Sequence, residues 1–154
     1  MSAEENKAIA RRGYEAINQN NLDALDEVVA SDITDHNPSP GQAPGLEGVK
    51  QWFSSLHTAF SDFHVDVEDM IAEGDKVVAR VTGSGTHQGE FMGIAPTGNR
   101  IEFSGIDILR IAEGKVAEHW GNFDNLGMLQ QLGAIPEPGQ QPGGSLSSGQ
   151  EPPS

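Results

Sequence analysis

The sequence predicts an α+β fold in one domain, with helices first and a mostly antiparallel sheet after them. Three observations carry this reading. Apolar residues recur at helical spacing through the first 60 residues, they alternate at strand spacing from residue 63 onward, and Gly- and Pro-rich turns separate the two textures. A chain of 154 residues is the length of one domain with one core and is large enough to enclose a pocket.

Residues 3–19 place Ile9, Ala10, Gly13 and Ile17 on one side of a helix. Asn21 is placed to cap a second short helix, with Leu22, Leu25, Val28 and Val29 along one side. The segment DHNPSPGQAPG (35–45) is a loop by composition. A third helix is expected over 46–60, where Val49, Phe53, Leu56 and Phe60 follow one another at spacings of four, three and four.

The second half alternates. FHVDVEDMI (63–71) is a strand and EGDK (73–76) a turn. A long strand is expected over 76–91, with Gly83, Gly85 and Gly89 suggesting bulges or bending. After the APTGNR turn, IEFSGIDILRI (101–111) and KVAEHWGNF (115–123) form two strands joined by a short hairpin. LGMLQQLG (126–133) closes as a helix, with Asp124 as its N-cap and Gly133 at its C-terminal end. A bent sheet with helices across its concave face leaves a cone-shaped cavity. The last twenty residues, IPEPGQQPGGSLSSGQEPPS, hold five of the nine prolines and almost no apolar side chains, so 136–154 is expected to be a disordered tail outside a domain of residues 1–135.

Composition excludes several functions. Net charge is −14, from 23 acids against 9 bases, and such a surface repels phosphate backbones and anionic lipid, so neither nucleic acid nor membrane is an expected partner. The absence of cysteine removes disulfides, thiolate catalysis and thiolate metal sites. The charged N-terminus lacks an apolar signal core and no run of 18 apolar residues occurs, so a cytoplasmic location is expected. No H-x-x-x-H, H-E-x-x-H or G-x-S-x-G motif is present, and the glycines of GSGTHQGEFMG lie in strand texture rather than before a helix. A metal site would need ligands assembled by the fold alone.

The candidate site comes from face assignment. In 101–111 alternation puts Asp107 on one face with Phe103 and Leu109, an apolar setting that favours the neutral acid and suits a general acid or base. In 115–121 the face of Ala117, His119 and Gly121 offers an imidazole to the same cavity, so Asp107 and His119 are expected to pair and exchange protons. His36, with Asp35 as its orienter, is the third catalytic candidate, carried on a loop over the pocket mouth. The plainer alternatives are a structural hydrogen bond at Asp107, a buried structural histidine at His119 and an Asx turn at Asp35. Trp52, Phe53, Leu56, Phe60, Phe103 and Leu109 are expected to wall a pocket for an apolar small molecule, with Phe91 and Met92 at its rim, and plain core packing is the alternative for most of the helical ones. His57, His64 and His87 are read as surface residues. Ile106, Ile108, Val116 and Trp120 form an apolar outer face that needs a cover, and a homodimer through that face is expected.

NLDALDEVVASDITDHNP (21–38), GLEGVKQWFSSLHTAFSDFHVDVEDMIAEGDKVVARVTGSGTHQGEFMGIAPTGNRI (45–101) and GIDILRIAEGKVAEHWGNFDNLGMLQQLG (105–133) resemble the SnoaL-like polyketide cyclase, or ester cyclase, family of the nuclear-transport-factor-2-like superfamily. The agreement runs through G-IAPTG, RIAEGK and EHW and covers nearly all of the expected domain. The resemblance implies an α+β cone, a homodimer and a cofactor-free enzyme that uses no metal and closes a ring in an ester-bearing polyketide by aldol chemistry. It implies an acid/base aspartate two residues after the histidine of the last strand, a position held by Gly121, and a functional histidine on the preceding strand, a position held by Asp107. Other chemistries implied for the superfamily are hydrolysis and isomerisation, and some members only bind ligands.

Overall fold

The structure, a computed structural model, describes residues 2–135, and the tail expected over 136–154 lies outside the described residues. Helix α1 (Ala3–Asn18) starts at a capping box. Ser2 Oγ accepts from the Glu5 N–H at 3.0 Å and Glu5 Oε1 accepts from the Ser2 N–H at 2.8 Å. A 3₁₀ helix (Leu22–Glu27) follows, then strand β1 (Val29–Asp35) and helix α2 (Gly45–Ala59). Strands β2 (His64–Glu73), β3 (Lys76–Thr86), β4 (Arg100–Ala112) and β5 (Lys115–Phe123) form the meander, and α3 (Asn125–Gln131) closes the domain. At α3, Asp124 accepts from the Gly127 N–H at 2.9 Å, and Gly133 follows the helix in the left-handed region at φ +81°.

The five strands form one curved, unclosed sheet in the order β1-β5-β4-β3-β2. β2 to β5 pair antiparallel as neighbours, while β1 runs parallel to β5 at the edge. β1 departs from the sequence reading, which extended a helix to Val29. Its register slips between Val29 and Thr34, so Val29, Ile33 and Asp35 turn inward and no regular alternation runs the length of the strand. Asn21 makes no side-chain cap at the 3₁₀ helix.

The core lies between the helices and the inner sheet face. It joins Ile9, Ala10 and Ile17 of α1 and Leu56 of α2 to Val77, Ala79, Ile101, Leu109 and Ile111 of the sheet, with Phe60 fully buried beyond α2. Burying each of the large side chains contributes about 1.5–3 kcal/mol.

The glycines of β3 serve close approach rather than bending. β3 pairs with β4 without a slip from Lys76 to Thr86, and the slip falls in β2, between Val67 and Asp69. A Cβ on Gly83 would lie 2.5 Å from the Phe103 ring opposite it, and one on Gly85 would lie 2.8 Å from Phe60 Cβ. β3 ends at Thr86, short of residue 91, because the amides of Gln88 and Gly89 turn away to donate to the Ala59 carbonyl.

Three further expectations are corrected. His87 is fully buried, and its Nδ1 accepts the Thr97 N–H at 3.2 Å. His57 is half-buried, its Nε2 2.7 Å from the Ile17 carbonyl. Val116 faces the core, because a slip after Arg110 pairs it with Ile111 and reverses its side relative to Trp120. Ile106, Ile108 and Trp120 do share the face away from the helices, where with Arg80, Ser104 and Asn122 they line an open groove of about 430 Å³. Among the described residues no helix is long and apolar enough to cross a membrane.

Candidate active site

The β4–β5 register places the key side chains. Asp107 stands opposite Gly121, and Leu109 stands opposite His119, all on the inner face. His119 must lean across the neighbouring pair to reach Asp107, and the missing side chain at Gly121 leaves the room. A Cβ there would sit 2.9 Å from His119 Nε2 and 3.0 Å from its Cε1. With that space open, His119 Nε2 comes 2.7 Å from Asp107 Oδ1.

The other ring nitrogen is met by β1. Asp35 is the register partner of His119, and its Oδ1 lies 3.0 Å from His119 Nδ1. Asp35 is itself fixed by the Asn37 N–H and by Gln42 Nε2, each donating at 3.0 Å. Asn37 Oδ1 accepts the Gly121 N–H at 2.9 Å and ties the loop after β1 to β5. From α1, the Tyr14 hydroxyl donates to Asp107 Oδ2 at 2.6 Å. The result is one chain of hydrogen bonds: Gln42, Asp35, His119, Asp107, Tyr14.

The three charged side chains are largely shielded, at 19% exposure for His119, 14% for Asp35 and 9% for Asp107. Burial alone would push the His119 imidazolium down. The hydrogen bonds and charges of Asp107 and Asp35 outweigh it and lift the ring from its ordinary 6.5 to about 9. At neutral pH His119 is therefore an imidazolium that donates from both nitrogens. Burial acts to raise the Asp35 carboxyl, but the bonds from His119, Asn37 and Gln42 and the His119 charge hold it below the usual carboxylate value. Burial first, and then the charge and hydrogen bond of Asp107, hold the Tyr14 phenol well above its ordinary range, so it stays a neutral donor. An imidazolium clamped between two carboxylates can give a proton from one place and recover it from another. Among the described residues no group of three or more His, Cys, Asp or Glu side chains is arranged to hold a metal ion.

Asp107 and His119 are thus brought together as the alternation of the strands predicted. His36 is not with them. It follows Asp35 in the chain and points to the opposite sheet face, where it stacks on Trp120 at 4.6 Å and its Nε2 lies 2.9 Å from Glu118 Oε2. Asp35 orients His119 rather than His36, while also making the Asx turn with Asn37.

Of the expected wall, Leu109 is buried beside His119. Phe103 is half-buried on the same face as Asp107, with its ring edge-on to Phe123 at 6.4 Å. The ring contacts of Trp52 and Phe53 are with Phe91 at 6.0 Å and Phe63 at 6.4 Å. Leu56 is a core residue, and so is Phe91, which packs on Phe60 at 5.2 Å and does not form a rim. Met92 is exposed in a turn, at φ +50°. Tyr14 and Gln42 escaped the sequence reading. For Tyr14 a signal existed, since it lies four residues after Ala10 and three before Ile17 on the buried stripe of α1.

The fold and site define a small α+β protein whose helix-backed open sheet carries an Asp35–His119–Asp107 hydrogen-bonded chain on its inner face. The sequence matches the family described as SnoaL-like polyketide cyclase over residues 7–132, and the chain belongs to that family. It is 30% identical over 131 residues to aklanonic acid methyl ester cyclase DnrD of Streptomyces peucetius, covering 81% of this chain and 88% of that protein. It is 31% identical over 124 residues to the nogalonic acid methyl ester cyclase of Streptomyces nogalater, covering 77% of this chain and 90% of that one. Among solved structures, TsrD from Streptomyces laurentii superposes with a TM-score of 0.81 at 30% identity, covering 88% of this chain and 99% of TsrD.

Proposed function

We propose that the protein is a cofactor-free cyclase that closes a ring in an apolar, ester-bearing polyketide by an intramolecular aldol reaction. The observation that carries this reading is the 2.7 Å bond between His119 Nε2 and Asp107 Oδ1, with Asp35 holding the other ring nitrogen. Asp107 accepts the proton of the activated carbon, and the carbanion attacks the ketone carbon of the same molecule. His119 gives its Nε2 proton to the new alkoxide. The proton taken by Asp107 then returns to His119 along their shared bond, so the site ends as it began. The apolar face around Phe103, Leu109 and Phe123 forms the pocket wall. Asp107 stands directly opposite Gly121, so it offers its carboxylate from across the strand pair to the place where the family resemblance puts one.

Asp107→Asn tests this. With aklanonic acid methyl ester and nogalonic acid methyl ester as probes, turnover should fall by about 10²- to 10⁴-fold while ester affinity stays near the wild-type value. Turnover retained within a few-fold would refute it. Gly121 favours a second reading, a ligand-binding protein on the same cone, and then either ester binds and neither is turned over. Hydrolysis or isomerisation in the same pocket would show as a different product from the wild-type protein.

The protein is further proposed to work in the cytoplasm as a homodimer, joined through the groove of Ile106, Ile108 and Trp120. Ile106 leaves 48% of its surface exposed there. Light scattering at micromolar concentration should give twice the chain mass. A monomer would contradict the proposal.

A further inference from the structure

The acid–base reading leaves Tyr14 without a part, although its hydroxyl makes one of the shortest contacts in the site. The phenol comes from α1, an element remote in sequence from the strands that carry the pair, and it reaches Asp107 Oδ2 at 2.6 Å while His119 takes Oδ1 at 2.7 Å. Each oxygen of Asp107 thus has one donor. The carboxylate is only 9% exposed, so water cannot readily replace either donor.

We infer that Tyr14 is a positioning residue of this site: its phenol holds Asp107 with Oδ1 turned to His119 and draws part of the carboxylate's charge away from the imidazole. The inference rests on the acid–base reading above. Two donors on one buried anion compete, because each spreads the charge the other is attracted to. Without the phenol, Asp107 would grip the His119 proton harder. An acid must release its proton near the working pH, and His119, held up at about 9, already stands above neutral. Tyr14 keeps that grip from tightening further. The groups facing the imidazole are Asp107 from β4, Asp35 from β1 and, one bond beyond, Tyr14 from α1. Arg110, Glu118 and His36 pair with one another on the opposite sheet face.

The composition makes the test unusually clean. Tyr14 is the chain's one tyrosine, so growth on 3-fluorotyrosine alters a single side chain and gives it a more acidic, stronger-donating phenol. Tyr14→Phe removes only the hydroxyl and keeps the ring that packs on the core. The His119 ring signal, assigned by its loss in His119→Asn, is titrated by NMR in wild-type, Tyr14→Phe and fluorotyrosine protein, with a single cooperative thermal unfolding transition as the check on folding. Tyr14→Phe should raise the His119 midpoint by about one pH unit, and fluorotyrosine should lower it. A midpoint that stays in place or falls in Tyr14→Phe, or that moves the same way in both proteins, would overturn the inference while leaving the acid–base pair intact. A wild-type midpoint near the ordinary 6.5 would refute the pair itself, and the inference with it.

Discussion

Raising the pH from about 6 to about 9.5 should remove a measurable part of the folding free energy through His119 alone. The folded ring titrates at about 9, against an ordinary 6.5 that serves for the unfolded chain. Because the folded value is the higher one, the folded state binds the proton more tightly. The stabilisation is therefore complete below pH 6.5, shrinks as the pH rises from 6.5, and is gone above about 9. A separation of this size is worth about 3 kcal/mol, a large share of the stability of a domain of this length. His119 is only 19% exposed, so solvent screening takes away little of it. Urea unfolding measures it directly. With a slope of about 2 kcal/mol per molar, the midpoint should fall by about 1.5 M between the two pH values. His119→Asn should lose that dependence within the same window. A wild-type midpoint that is flat across it, or an equal fall in wild type and His119→Asn, would refute the argument that the two carboxylates hold the imidazolium. At the acid end the sign reverses. Asp35 has a lowered folded value, so its contribution is present above about 3.8 and is lost as the pH falls through that lowered value.

Two further outcomes follow from packing and facing. Gly48→Ala in α2 should destabilise the protein by at least about 2 kcal/mol in urea unfolding, despite alanine's better helix propensity. The new Cβ would lie 1.6 Å from the Ala43 carbonyl oxygen, and backbone cannot swing aside as a side chain does. His36→Ala should leave turnover of the ester probes close to wild type, since its ring stacks on Trp120 on the far face of the sheet. A loss comparable to that of Asp107→Asn would return His36 to the site.

The sequence by itself determined the α+β class, the order of α1, α2 and the meander, and the face shared by Asp107 with Phe103 and Leu109. Those features are written in local periodicity, which a helix or a paired strand must repeat every 3.6 or two residues. It also brought Asp107 and His119 together, because they belong to adjacent strands of one hairpin. Only the tertiary structure decided the rest of the chain of proton groups. Asp35 meets His119 because β1 lies parallel to a strand more than 80 residues later, and a slipped edge strand leaves no alternating signature. Tyr14 reaches Asp107 because α1 packs across the sheet, a contact spanning 93 residues that no local spacing encodes. The slip after Arg110 likewise turned Val116 inward, since one extra residue reverses a strand's faces. Gly121, which reads in the sequence as a lost acid, is in the fold the opening through which His119 reaches the carboxylate across the strand pair.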